Sequence, residues 1–435
     1  MKGAPSVSAE AKDSAPPVLV DSILRLSFRA VAAIFALALA ARLCVAAAGG
    51  LSTPRFGDWP AYVEAAKTLL RTGHFPFSTT EIFFRPPGYA FFLAVATLGH
   101  PDSIACDKVA GAAAGALAAP FLAMLSARIF RRRGLALATG IAAALHPAFV
   151  YITSDVQTET VFLPLLLSAG YFLLASTDRP SANLALCAGL LLAGAALTRP
   201  SALAMAPLLG APLLDRRWPA RARVHIAAAA ALGMVLGLAP WTARNYLLFH
   251  ELIPVSDEGG ASFFDGNSRL GSTLYELTDR RQAEPLFVAL HLEKKRHLEA
   301  LGGDILSSPS RRSLALVRIA LEDRRADPAG TARLLRRKLW HWIRPYPTLF
   351  WGKRIVLVTG ALYTLLYVFT AVGFARAQRR GVVSFAAAVL AISMAVHVAL
   401  LVLWRYRIPY ADPILLLWGL FGASDTLFPL WTRRS

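Results

Sequence analysis

The chain has 435 residues, of which 56% are hydrophobic and only 17% charged, and its mean hydropathy is +0.49. A soluble domain needs more charge than that to cover its surface, so the composition excludes one and calls for several membrane crossings. The formal net charge of +19 is spread in short clusters over membrane exits and one loop, which excludes a basic nucleic-acid-binding domain.

Residues 1–22, rich in Ala, Ser, Pro and charge, read as a disordered cytoplasmic tail. About ten later stretches have the length and apolarity of a helical span, at about 27–48, 104–128, 135–153, 159–176, 183–197, 200–214, 224–242, 354–374, 382–403 and 409–428. The fold class expected is an all-α polytopic membrane protein. Its parts are the tail, a transmembrane module over 23–242 with a first outer loop at 49–103, a periplasmic loop region over 243–350, and C-terminal helices over 351–435. Cys44, Cys106 and Cys187 lie in or beside spans without a pairing pattern, so they imply neither disulfides nor a metal cluster.

Charge fixes the orientation. The clusters FRRRG, DRRWPARAR, ARAQRRG and the terminal WTRRS fall at one set of exits, while Asp58, Glu81, Asp155, Glu159 and Asp265 fall at the other. The positive-inside rule then puts both termini and the basic loops in the cytoplasm and the acids outside, facing the periplasm of a bacterial inner membrane. This requires that PPGYAFFLAVATLGH, after Arg85, does not cross; it is about 15 residues and reads as an interfacial or re-entrant helix.

Within the first outer loop, Asp58 as N-cap, Pro60 in the first turn and Gly73 as stop predict a helix over 60–72. Tyr62, Ala65, Ala66, Leu69 and Leu70 share one face of it and Glu64, Lys67 and Arg71 another, the pattern of an amphipathic helix lying on the membrane. The second outer segment starts PWTARNYLLFHELIPVSDEGGASFFDGNS, where Gly-Gly and Asp-Gly-Asn predict turns and a short hairpin. Basic helical stretches follow, ending in TARLLRRKLWHWIRPYP, which has the alternation of a juxtamembrane anchor. No P-loop, dinucleotide fingerprint or ordered metal-ligand spacing is present.

Several residues have the chemistry of an active face. Asp58 is either a plain helix cap or a general base for an acceptor hydroxyl, and the two roles are compatible. Arg85, ahead of two prolines at headgroup depth, either snorkels to lipid phosphate or grips a lipid-linked phosphate in bidentate fashion, with Glu81 near it in sequence. Asp155 and Glu159 stand at a tight outer turn, where a carboxylate at the bilayer edge needs a partner or a cavity; capping is the simpler alternative. Arg199 joins two short apolar segments, Arg244 and Asn245 follow Trp241, and Arg405 and Arg407 separate the last two spans. Arginines beside acids at a membrane surface suit a transferase with an anionic lipid-linked donor: an acid takes the acceptor proton, and the arginines hold the departing phosphate. No cofactor is required; a divalent cation is compatible with the chemistry.

These residues resemble bacterial GT-C glycosyltransferases related to the protein mannosyltransferases and to the aminoarabinose transferase of lipid A. The likeness is carried by GDWPAYVEAAKTLLRTGHFPF, FRPPGYAFFLA, TSDVQTETVFLPLLL, ALTRPSALA, the PWTARNYLLFHELIPVSDEGGASFFDGN segment and WRYRIPY, over most of residues 30–425. It implies a polyprenyl-phosphate sugar as donor, Asp58 as catalytic base, Arg85 at the donor phosphate, and Asp155 or Glu159 as a second acid. The donor-phosphate group expected is Arg85, Arg199, Arg244, Arg405 and Arg407, with Glu81, Asn245, Asp265 and Asn267 toward the acceptor. Partners expected are the polyprenyl-phosphate sugar, a periplasmic glycan, lipid or protein acceptor, and membrane lipids. An oligosaccharide ligase or polymerase using lipid-diphosphate donors is the alternative enzyme; a lipid-glycan transporter would instead carry charges at midplane.

Overall fold

In a computed structural model, which describes residues 26–55, 59–76, 83–97, 100, 103–277, 280–347 and 353–427, each of the ten apolar stretches is helical and the described residues contain no strand. The helices are α1 (Phe28–Ala48), α2 (Trp59–Thr72), α3 (Gly88–Ala96), α4 (Ile104–Ala116), α5 (Ala118–Phe130), α6 (Arg133–Leu145), α7 (Pro147–Thr153), α8 (Glu159–Asp178) and α9 (Ala182–Thr198). A 3-10 helix, Pro200–Leu214, comes next, followed by α10 (Ala220–Phe249), α11 (Glu258–Asn267), a short 3-10 turn (Gly271–Glu276), α12 (Arg280–Ala300), α13 (Gly303–Ser307), α14 (Pro309–Ala326) and α15 (Pro328–Ile343). The chain closes with α16 (Lys353–Arg376), α17 (Arg380–Ala399) and α18 (Trp404–Leu427).

By length and composition six helical runs can cross a membrane: α1, the 27-residue α4–α5 run, α8, α10, α16 and α17. A seventh is gained if α6 and α7, bent by 48° at their junction, count as one span. The ten expected spans are reached only with α9 and the long 3-10 helix, which are shorter, and α18, which starts with Arg405 and Arg407 and carries Asp412. The 3-10 geometry matters here. At about 2.0 Å per residue, fifteen residues reach about 30 Å, the thickness of a bilayer core, where an α-helix would fall well short. Pro207 and Pro212 lie inside this helix. Proline offers no N–H to the α pattern.

Small residues set the helix pairs. A Cβ on Gly189 of α9 would lie 1.9 Å from the Ala230 carbonyl oxygen of α10, and one on Gly233 of α10 would lie 2.2 Å from that of Leu186. The backbones of α9 and α10 therefore touch, as they do for α16 and α18, where a Cβ on Gly422 would lie 2.0 Å from the Phe369 carbonyl oxygen. Without water to drive association inside a bilayer, close backbone packing of this kind is what holds helices together.

Two features differ from expectation. The apolar face of α2 is covered by protein: Tyr62, Val63, Ala65 and Ala66 pack on Tyr89, Ala90, Leu93 and Ala94 of α3 and on Val156. The hairpin expected around 258–267 is helix α11 instead. Its glycines are there for contact, since a Cβ on Gly260 would lie 2.2 Å from the Ser313 carbonyl oxygen and one on Gly266 1.9 Å from that of Leu400. Turn-forming residues were thus chosen for their small size, which the pattern alone does not distinguish.

The basic loops meet at one end of the bundle. Asp178 at the end of α8 accepts from Arg128 (3.1 Å) and Arg379 (2.8 Å), with Arg217 at 3.8 Å. The acidic turn 154–158 and the long segment 243–347 lie at the other end of α8 and α10, and there the candidate residues gather.

Candidate functional site

Gly88 brings two loops together. A Cβ there would lie 2.8 Å from the carbonyl carbon and oxygen of Leu197 and from Thr198 Oγ1, so the Phe84-Arg85-Pro86-Pro87 loop abuts the end of α9, next to Arg199. The first turn of α18 supplies Arg405, whose Nη1 donates to Gln157 Oε1 at 3.0 Å. Both Arg199 and Arg405 pack on the ring of Tyr406, with their Cζ atoms 4.7 and 5.2 Å from its centroid.

Glu159, at the first turn of α8, is 1% exposed. Arg199 Nη1 donates to its Oε1, and Thr158 Oγ1 lies 3.1 Å from Oε2 and 3.2 Å from the same guanidinium nitrogen. Arg85 is partly exposed, packs on Tyr62 (5.2 Å) and Phe83 (5.5 Å), and has Nη1 3.8 Å from Glu258 Oε1. Two guanidinium groups, those of Arg199 and Arg405, thus share one aromatic ring beside a buried carboxylate, and the loop that carries Arg85 abuts the end of α9 next to them. Planar cations of this kind bind phosphate oxygens in pairs.

Asp155 does a different task from Glu159. It is fully buried and receives the Arg55 backbone N–H at 2.8 Å, with Lys108 Nζ at 3.3 Å. Lys108, also buried, donates to the carbonyl oxygens of Gly50 (2.8 Å) and Thr53 (2.7 Å), and the Arg55 guanidinium donates to Tyr151 O and Ser154 Oγ. The group fixes residues 50–55, at the start of the first loop, to the acidic turn. Asp58 and Glu81 lie outside the described residues.

The structure does not bring Arg407 or Arg244 into the arginine group. Arg407 is 1% exposed, with Nη1 donating to the carbonyl oxygens of Trp342 (3.1 Å) and Arg344 (2.8 Å) and to Tyr367 Oη (2.8 Å), and Nε 3.8 Å from Asp412. Its separation from Arg405 has a plain cause: two residues along a helix turn by about 200°, so the two side chains leave α18 in nearly opposite directions. Arg244 packs on Trp241 (4.5 Å) and donates to Phe75 O (3.1 Å) and Asn245 Oδ1 (3.0 Å). Asn245 is buried and donates to Ile253 O at 2.9 Å, which stitches the chain after α10 back onto the helix.

On the long loop side, Asp265 is bound by Lys294 Nζ at 2.6 and 2.8 Å; burial raises its carboxyl while Lys294 opposes the rise. Asn267 donates to Phe263 O and Ala399 O, both at 2.9 Å, and its Oδ1 accepts from Lys338 Nζ at 2.8 Å. Two residues the sequence did not single out stand out here. Asp257, whose carboxyl is raised by burial against the pull of Arg312, accepts the Phe84 N–H at 2.8 Å and Arg312 Nη2 at 2.9 Å, tying the Arg85 loop to α14. Lys338, buried on α15 and pushed down by burial to about 7, binds the turn before Arg405. Among the described residues no group of three or more His, Cys, Asp or Glu side chains is arranged to hold a metal.

The family model described as dolichyl-phosphate-mannose-protein mannosyltransferase matches residues 85–241, from Arg85 through Glu159 and Arg199 to Trp241. Among solved structures, the archaeal oligosaccharyltransferase AglB from Archaeoglobus fulgidus, in complex with an inhibitory peptide and a dolichol-phosphate, aligns with TM-score 0.54 and 13% identity. That alignment covers 93% of this chain and 51% of AglB. The chain shares the fold of this membrane oligosaccharyltransferase. A second structure of the Archaeoglobus fulgidus enzyme, tethered to an acceptor peptide, gives TM-score 0.55 at 12% identity, over 96% of this chain and 51% of that one. ArnT from Cupriavidus metallidurans in the apo state gives TM-score 0.41 at 16% identity, over 90% of this chain and 76% of its own. The chain therefore spans about half the length of the archaeal structures it matches. No curated protein matches it. The family match starts at Arg85 and contains Gln157, Glu159 and Arg199, whereas Arg405 and Tyr406 lie beyond it.

Proposed function

We propose that the chain transfers one sugar from a polyprenyl-phosphate donor to an acceptor hydroxyl or amine on the periplasmic side of a bacterial inner membrane. The observation that supports this reading is the pairing of Arg199 and Arg405 on Tyr406, with the Arg85 loop packed on the end of α9, at the end of the bundle opposite the basic Asp178 cluster. Under the positive-inside rule the Asp178 end faces the cytoplasm and the arginine end faces the periplasm.

Asp58 takes the acceptor proton, the acceptor attacks the anomeric carbon, and the polyprenyl phosphate leaves as an anion. Inversion at that carbon is the outcome of a single displacement. Arg85 and Arg405 hold the phosphate as its charge grows, and no general acid is needed for a leaving group that departs as an anion. Arg199 is partly neutralised by Glu159 and acts with Tyr406 to hold the wall of the site. Asp155 supports the reaction by fixing the start of the loop on which Asp58 stands.

The test is a lipid and glycan mass profile of a deletion strain complemented with wild type, Asp58→Asn or Arg405→Ala at matched membrane levels. The wild type restores a surface sugar. Asp58→Asn does not, and the polyprenyl-phosphate sugar accumulates; Arg405→Ala restores it partly. Full rescue by Asp58→Asn overturns the reading.

A further inference from the structure

The four residues between α17 and α18 carry the chain from the end of a span to the turn that holds Arg405, and they are gripped almost entirely by the long loop segment. Lys338 Nζ donates to Val398 O (3.0 Å), Leu400 O (3.0 Å) and Asn267 Oδ1 (2.8 Å), which uses all three ammonium hydrogens. Asn267 Nδ2 adds Ala399 O at 2.9 Å, and Tyr275 Oη accepts the Val402 N–H at 3.0 Å. Leu401 and Val402 are buried beside Phe264, Leu274, Tyr275, Leu334 and Trp342. Leu400 has φ −90° and ψ −96°, which ends α17 and turns the chain toward α18. On the far side of Arg405, Arg407 donates to the carbonyl oxygens of Trp342, in the last turn of α15, and of Arg344 just after it. The segment 398–407 is thus tied to α15 at both ends, with Arg405 between the ties.

We infer that Lys338 is a positioning residue for the phosphate-binding arginines: through the 398–402 turn it holds Arg405 in register with Gln157 and Tyr406. The inference rests on the reading of those arginines as a phosphate site. It also gives the long loop segment a role, since α11 and α15 make the frame on which the first turn of α18 is set. A bare packing role for Lys338 would be met by any side chain that fills the space, whereas an apolar one of the same size would leave the Val398 carbonyl and Asn267 Oδ1 without this donor.

The experiment uses the full chain in detergent and measures the Kd for undecaprenyl phosphate, together with hydrogen exchange over residues 400–407. Lys338→Met is compared with wild type, with Arg405→Ala and with the double variant; Asn267→Ala, which leaves Lys338 two acceptors, replaces Lys338→Met where that variant does not fold. The expected result is a Kd raised about tenfold by Lys338→Met, faster exchange confined to the turn, and no further loss when Lys338→Met is added to Arg405→Ala. A Kd within twofold of wild type in folded Lys338→Met, or losses that multiply in the double variant, overturns the inference. Failure of the wild type to bind undecaprenyl phosphate overturns the functional reading and the positioning role with it; the exchange data then report separately whether the clamp on the turn exists.

Discussion

Arg199 and Glu159 form a pair whose carboxylate is 1% exposed and whose guanidinium is 15% exposed, packed on Tyr406 and Phe162. Removing one partner leaves the other charged in a place water does not reach. Arg199→Ala is therefore expected to destabilise by about 3–5 kcal/mol, while the paired change Arg199→Met with Glu159→Met recovers most of it. Thermal unfolding in detergent reads both. Glu159→Gln separates two roles for the acid: a general base loses about 10²–10⁴ in rate when neutralised, and a carboxylate locked on an arginine loses far less. We expect less than a tenfold fall in turnover; a loss of a thousandfold would make Glu159 the base. Much of this pairing was legible in the sequence, because Glu159 and Arg199 each sat at a bilayer edge where a lone charge is expensive. The position of Arg407 was legible too, had helical phase been applied to WRYRIPY: two residues along α18 reverse direction, so Arg405 and Arg407 had to part.

Helix type and helix contact explain what the sequence hid at the next scale. The 200–214 segment, expected to cross on only fifteen residues, is a 3-10 helix and so gains about half an ångström per residue over an α-helix. Hydropathy counts residues and is blind to rise. The EGGASFFDGN run failed as a hairpin for a similar reason: glycine marks both turns and contacts, and only the partner backbone of Ser313 or Leu400 tells which. Lys338 was invisible because its acceptors are backbone carbonyls about 60 residues away, which no side-chain motif records. The α9–α10 contact gives an element-scale prediction. Gly189 and Gly233 meet the opposite backbone at distances no Cβ can occupy, so Gly189→Val must push the helices apart and move the Arg199 end of α9 with them. A lower yield of folded protein is expected, and in what folds, a Kd for undecaprenyl phosphate raised more than fivefold. Wild-type yield and binding in Gly189→Val would show that α9 and α10 do not need this contact.

Across the whole molecule the two polar ends are built on different principles. At the basic end, Asp178 gathers arginines from the last turn of α5 and from two loops, with side chains 25% to 51% exposed, so water screens every pair. At the site end, Asp155 and Lys108 are both fully buried and their bonds run to loop backbone near the start of the first outer segment. The first end joins loops and the second sets a geometry. Asp178→Asn is then expected to lower stability by only about 1–2 kcal/mol, because partly solvated arginines can turn to water or lipid phosphate, and to leave undecaprenyl phosphate binding within twofold. Asp155→Asn removes the counter-charge of a buried ammonium and leaves one acceptor oxygen where the Arg55 N–H and Lys108 face two, so stability and turnover fall together, turnover by more than tenfold. The two variants are compared in the same detergent by thermal unfolding, by Kd and by complementation of the deletion strain. Should Asp178→Asn weaken binding as much as Asp155→Asn does, the ends are mechanically coupled through α8, which runs from one to the other, and the separation argued here is lost.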